Sequence, residues 1–211
     1  MGYNICMSYD TIASDQVIAK TVASLKGKNF NPIVVNAKKE ALEKIKELIP
    51  AGASVMNGSS TTLEEIGFMQ YLKDGKHGWN DLHANILAEN DAAKRAELRK
   101  QSVLSDWYLG SVHALTEGGE MIIASNTGSQ LPHLVFTSKN LILIVGAQKI
   151  VPDLAEGMKR LETYVVPLED DRAMKAYKAH TANNKTLIVH GENPMSGRTF
   201  HVIILKEKLG F

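Results

Sequence analysis

Short apolar runs without polar alternation constrain this chain most. They are Ile33-Val34-Val35, Met121-Ile122-Ile123-Ala124 and Leu141-Ile142-Leu143-Ile144-Val145, joined by Phe200 to Leu205, which only His201 interrupts. A strand with one wet face alternates apolar and polar residues. Unbroken Val/Ile/Leu runs need cover on both faces, which is the situation of a parallel sheet between helices. The stretches before and between them have helical spacing. Ser14 is placed to cap a helix whose stripe is Val17, Ile18, Val22 and Leu25, ended by Gly27. Lys38 to Ile49 carries Ala41, Leu42, Ile45, Leu48 and Ile49 on one face before Pro50 stops it. Ala53 to Met56 then reads as a further strand. Strand, helix, strand in this order predicts an α/β domain of three layers with a mostly parallel sheet.

The expected organisation is an extension over residues 1–14 and one domain over 15–211, with residues 63–108 mainly helical and broken near Gly75 and Gly78. Asn90 is the expected cap of the longest helix there, with Ala93, Ala96, Val103, Leu104 and Trp107 on its inner side. Asp106 and Trp107 would end it. Strands are expected at 112–115, 187–189 and 200–205, and helices near 129–136, 153–162 and 170–179. No internal repeat and no low-complexity segment is present.

Lys and Arg number 24 against 23 Asp and Glu, a net charge of +1, so bulk charge argues for neither a nucleic-acid nor a membrane partner. No apolar run approaches the length of a membrane span. The first residues lack the charged and apolar regions of a secretory signal, and the expected location is cytoplasmic. Cys6 is the single cysteine, which excludes an internal disulfide and cannot by itself hold an iron–sulfur cluster. The seven histidines are scattered without metal-ligand spacing, so no metal is expected. His190 and His201 are the two that could face a cleft.

Ligands of open parallel sheets bind beyond the carboxyl ends of strands. Three polar, glycine-bearing loops are expected there. Asn57 leads into Gly58-Ser59-Ser60-Thr61-Thr62, where hydroxyls and amides before a helix suit a phosphate or carboxylate, or serve merely as a helix cap. Glu117 with Gly118 and Gly119 is either a tight hairpin turn or a carboxylate at a strand end, acting as base or nucleophile. Asn126, Thr127, Gly128 and Ser129 offer donors, and Gly128 permits positive φ. Lys149, after the strand ending at Gly146, is placed to attract an anion or to be solvated.

Several of these segments, in order, resemble one family. They are Ser105-Asp106, Ala114-Leu115-Thr116-Glu117-x-Gly119-Glu120, Asn126-x-Gly128 and Ile144-Val145-Gly146-x-x-Lys149-Ile150-Val151. With the GSSTTLEEIG segment upstream and the closing TLIVHGENPMSGRTFHVIILKEKLGF, the chain from about Asp15 to Phe211 is similar to the LUD domain family of lactate-utilisation proteins. The resemblance implies a fold like that of sugar-phosphate isomerases, CoA transferases and formyltetrahydrofolate cyclo-ligase, with phosphorylated or CoA-linked ligands at the sheet's carboxyl edge. It also implies a link to growth on L-lactate beside iron–sulfur partner subunits. Some relatives carry a cysteine cluster before the last strands. Here that stretch, AHTANNKTLIVHGENP, has none, so any cluster would belong to a partner.

Three functions follow. One is an accessory or regulatory component of lactate utilisation that binds a small anionic or phosphorylated ligand or a partner subunit. Another is an acyl- or phosphoryl-transfer enzyme, or a sugar-phosphate or folate enzyme, using Glu117. The third is a structural homodimer module with Met69, Tyr71 and Trp79 exposed at the interface.

Overall fold

The computed structural model describes residues 9–211; Cys6 and most of the expected extension lie outside the described residues. Helix α1 (Asp15–Gly27) begins where Ser14 Oγ accepts the Val17 amide, and it buries Ile18, Thr21 and Leu25. Strand β1 (Asn31–Val35), helix α2 (Lys38–Leu48) and strand β2 (Ser54–Asn57) follow. Short helices α3 (Thr61–Glu65) and α4 (Phe68–Lys73), strand β3 (Asn80–Asp81), and helices α5 (Leu82–Ala88) and α6 (Ala92–Gln101) lead to β4 (Trp107–Ser111). Then come β5 (Ala114–Thr116), β6 (Met121–Ser125), β7 (Asn140–Gly146), β8 (Ile150–Val151), α7 (Leu154–Arg160), α8 (Val166–Tyr177), β9 (Lys185–Val189) and β10 (Thr199–Leu205).

Six strands form one parallel sheet in the order β1-β10-β7-β4-β2-β3. The apolar runs explain it. On β7, Ile142 and Ile144 face one core while Leu141, Leu143 and Val145 face the other. On β10, Ile203 and Leu205 oppose Phe200, Val202 and Ile204 in the same way. Both faces of each central strand are apolar because both are covered. Full burial of each such side chain contributes about 1.5–3 kcal/mol. α2, α3 and α4 cover the first face. The second is covered by α1 and by a further sheet, in the order β8-β5-β6-β9. The outer face of that small sheet packs on Leu161 and Val165. Among the described residues no helix is long and apolar enough to cross a membrane.

Five details differ from the sequence reading. Trp107 does not end a helix; it opens β4, and its side chain faces the sheet core beside Leu109. α6 has no buried residue and Leu104 is 74% exposed, so the expected inner stripe does not exist there. Its cap is Asp91, whose Oδ1 accepts the Lys94 amide, rather than Asn90. Trp79 is buried, donating Nε1–H to the Ile49 carbonyl at 3.2 Å, and Met69 and Tyr71 pack partly buried on the same core. The aromatic interface expected of the dimer reading is thus spent inside the protomer. The helices expected at 153–162 and 170–179 are one continuous run, because a wide π turn over Leu161–Val165 joins α7 to α8. Pro167 sits just past that turn, where a missing amide is tolerated.

Candidate functional site

Parallel neighbours β2, β4 and β7 pair with Asn57 opposite Leu109 and Ser111 opposite Ile144. Their carboxyl ends therefore open side by side. The α7–α8 run, helices α5 and α6, and the loops after β6 and before β9 close around this edge. They line a half-open cavity of about 540 Å³, ample for a metabolite-sized ligand.

Lys149 forms part of the cavity wall. It lies in a 3-10 turn after β7 (Ala147–Lys149) and is only 2% exposed. Its Nζ donates to Thr62 Oγ1 and Ser111 Oγ, both at 3.1 Å, and to the Val112 carbonyl at 3.2 Å. Burial, and next the charge of Arg160, push its pKa down to about 7, while Glu65 pulls the other way. His113 follows Val112 on the chain. Its Nδ1 accepts the Ala124 amide at 3.0 Å, which leaves the ring proton on Nε2. Desolvation, with Lys149 and Arg160 nearby, pushes its pKa down to about 3, so it is a neutral donor at physiological pH. His133 stacks on Tyr108 at 4.4 Å between centroids, and burial lowers it to about 4. Gly58 is required by this packing: a Cβ there would lie 2.7 Å from Tyr108 Oη.

Gly58, Ser59, Ser60, Thr61, Asn126, Thr127, Ser129 and Lys149 all line the cavity. Thr62 stands behind it, bonded to Lys149. Gly128 shapes its loop at φ 85° without forming the wall. Glu117, Gly118 and Gly119 are elsewhere: β5 and β6 are antiparallel neighbours, and these residues form their hairpin turn. Glu117 there pairs with Lys20 at 2.7 Å. Neither His190 nor His201 lines the cavity; His201 stacks on Trp107 instead. Asp106 accepts the amide and hydroxyl of Ser54, and these bonds hold its carboxyl below the usual range.

The family model of the LUD domain matches residues 18–205. The chain belongs to the LUD domain family. A comparison with curated proteins gives no match. Among solved structures, the chain is similar to a DUF162 family protein from Deinococcus radiodurans, at 11% identity and a TM-score of 0.54, over 92% of this chain and 99% of that one. At that identity the likeness speaks for the fold.

Several wall residues of this LUD domain had no sequence signal strong enough to single them out. Arg95 and Arg99 are one turn apart on α6, a helix with no apolar stripe; that pattern was the available signal. Arg172 on α8 holds Glu169 through two bonds of 2.7 and 2.6 Å. Tyr108 lies on β4, His113 in the turn after it, and His133 at the start of a π turn (His133–Thr137) between β6 and β7. Among the described residues no cluster of three or more His, Cys, Asp or Glu side chains is placed to hold a metal.

Proposed function

We propose that the protein is an accessory or regulatory component of L-lactate utilisation that binds a small anion, a carboxylate or a phosphate ester, at the carboxyl edge of its parallel sheet. The charge of the cavity wall carries this reading. Lys149, Arg95, Arg99 and Arg172 line it, against Glu169 as the single lining Asp or Glu among the described residues. Glu169 is already neutralised by Arg172. An entering anion meets surplus positive charge, together with the hydroxyls of Ser59, Ser60 and Thr61. Membership of the LUD family supports the link to lactate. In this reading iron–sulfur subunits carry the electrons and this chain supplies ligand recognition. Glu117 chemistry finds no supporting observation, since that carboxylate is engaged by Lys20 away from the cavity.

A thermal-shift panel of inorganic phosphate, sugar phosphates, CoA esters and folates tests the binding. We expect stabilisation by at least one anion, reduced in Arg99→Ala. A flat response throughout would overturn it. Unchanged growth of a deletion strain on lactate would overturn the assignment to that process.

A further inference from the structure

The environment of Lys149 goes beyond what holding an anion requires. We propose that Lys149 is an amine nucleophile toward the carbonyl carbon of the bound ligand, so that the ligand is a small carboxylate or phosphate ester bearing an aldehyde or ketone. The proposal rests on the anion-binding reading and adds the carbonyl to it.

Three observations carry it. First, Lys149 is buried in the cavity wall yet has no carboxylate within ion-pair distance among the described residues; all its bonds go to neutral oxygens. A buried lysine kept for structural charge normally acquires a counter-ion, because an unpaired buried ammonium is costly. Second, the hydrogen bonds serve the ammonium and also admit the uncharged amine. The Ser111 hydroxyl gives its own proton to the Ile144 carbonyl at 2.7 Å, so its oxygen accepts from Nζ. The Val112 carbonyl accepts a second N–H. The Thr62 hydroxyl accepts from Nζ while the amine is protonated, has no other acceptor among the described residues, and can turn to donate to the lone pair once the proton is lost. Third, a cation lies close behind. Arg160 is fully buried and donates Nη1–H to the His113 carbonyl, while its Nε and Nη2 have no partner among the described residues. Burial beside a second cation is an established way to free an amine for attack. The depressed pKa of Lys149 agrees with this geometry.

The step balances without an external oxidant or reductant. The Nζ lone pair attacks the carbonyl carbon and a C–N bond forms. The π pair of C=O moves to oxygen, which takes a proton given up by the nitrogen, leaving a carbinolamine. The nitrogen lone pair then expels that hydroxyl, which leaves as water with the second nitrogen proton. Amine and carbonyl become an imine and one water. The Nε2–H of His113, without a partner among the described residues, is available in the same wall to polarise the carbonyl oxygen. The hydroxyls of Thr62 and Ser111 lie within hydrogen-bond reach of Nζ to relay the protons.

The full chain is incubated near pH 7 with pyridoxal 5′-phosphate or with glyoxylate, reduced with borohydride, and mapped by peptide mass. We expect the adduct on Lys149 in at least about tenfold excess over surface lysines, since only a deprotonated amine attacks a carbonyl carbon. Inorganic phosphate should protect the site, and Lys149→Arg should remove this adduct alone. Should Lys149→Arg not fold, Thr62→Val serves, with labelling of Lys149 slowed and surface labelling unchanged. Adducts confined to surface lysines in the wild-type chain, with phosphate still raising the melting temperature, would overturn the nucleophile and leave the anion site standing. Absence of both adduct and phosphate shift would overturn both.

Discussion

At the β5–β6 turn the charges are matched. Glu117 pairs with Lys20, and Glu120 pairs with Lys28 at 2.9 Å while accepting from the Thr116 hydroxyl. At the cavity the charges are unmatched: Lys149 has only neutral acceptors, and the wall holds more cations than carboxylates. Both regions are built from polar loops containing glycine at strand ends. What separates them is the sheet. The turn joins antiparallel strands of the small sheet and folds back on itself at the surface. The cavity forms where the adjacent parallel strands β2, β4 and β7 end side by side, with the loop after β6 and the helices closing over them, and that space only a ligand or water can fill. Matched surface charge stabilises modestly. Unmatched buried charge costs stability and is where binding and chemistry concentrate.

Substitutions in the two regions should therefore behave differently. Gly58→Ala should have the largest effect, a loss of about 1–3 kcal/mol from overpacking against Tyr108. Gly118→Ala meets the outer end of the Glu120 side chain at the same 2.7 Å, and that side chain is able to turn away. Urea titration of the two variants checks the contrast; equal losses would break it.

Next comes Lys149→Met, which should weaken anion binding about tenfold, or about 1.4 kcal/mol, by calorimetry. Its pH behaviour is a second readout. Lys149 titrates near 7 when folded and near 10.5 unfolded, so between those values the unfolded chain binds more protons and wild-type stability rises with pH. The variant should lose that rise.

Glu120 has the opposite relation to acid. Its bond from Thr116, then its pairing with Lys28, hold it at about 2 against an ordinary 4.5. Its stabilisation is present above pH 4.5 and is lost as pH falls toward 2. Glu120→Gln should cost about 1 kcal/mol at neutral pH and flatten that acid limb. Smallest is Lys20→Met, at an exposed pair, expected below about 0.5 kcal/mol with anion binding unchanged. A clear loss of binding there would bring the hairpin back into the functional site.

The fold was legible where local pattern and tertiary environment agree. Leu141 to Val145 could hardly be anything but a doubly covered strand, and Ser14 and Ser60 cap their helices as short hydroxyl residues do. β4 was missed because Val103, Leu104 and Trp107 share a helical spacing that a chain read locally has no reason to reject. The small second sheet was not foreseen because its strands pair across long separations, as when Ile122 meets Ile188. In the candidate site, the loops 58–61 and 126–129 and Lys149 were singled out from hydroxyls, glycines and strand ends. Arg95, Arg99, Arg172, Tyr108, His113 and His133 were not, because they come from α6, α8, β4, the turn after β4 and the π turn before β7, and only the folded cavity gives them a common address.

By itself the sequence determined the layered parallel architecture, the local caps and turns, and the LUD family, because each is written in short-range pattern or ordered motifs. Tertiary structure decided which of three similar loops meet, and that Lys149 is buried without a counter-ion. Solvation and pairing depend on what the rest of the chain brings within a few ångströms, and a pattern of neighbours along the chain does not specify that.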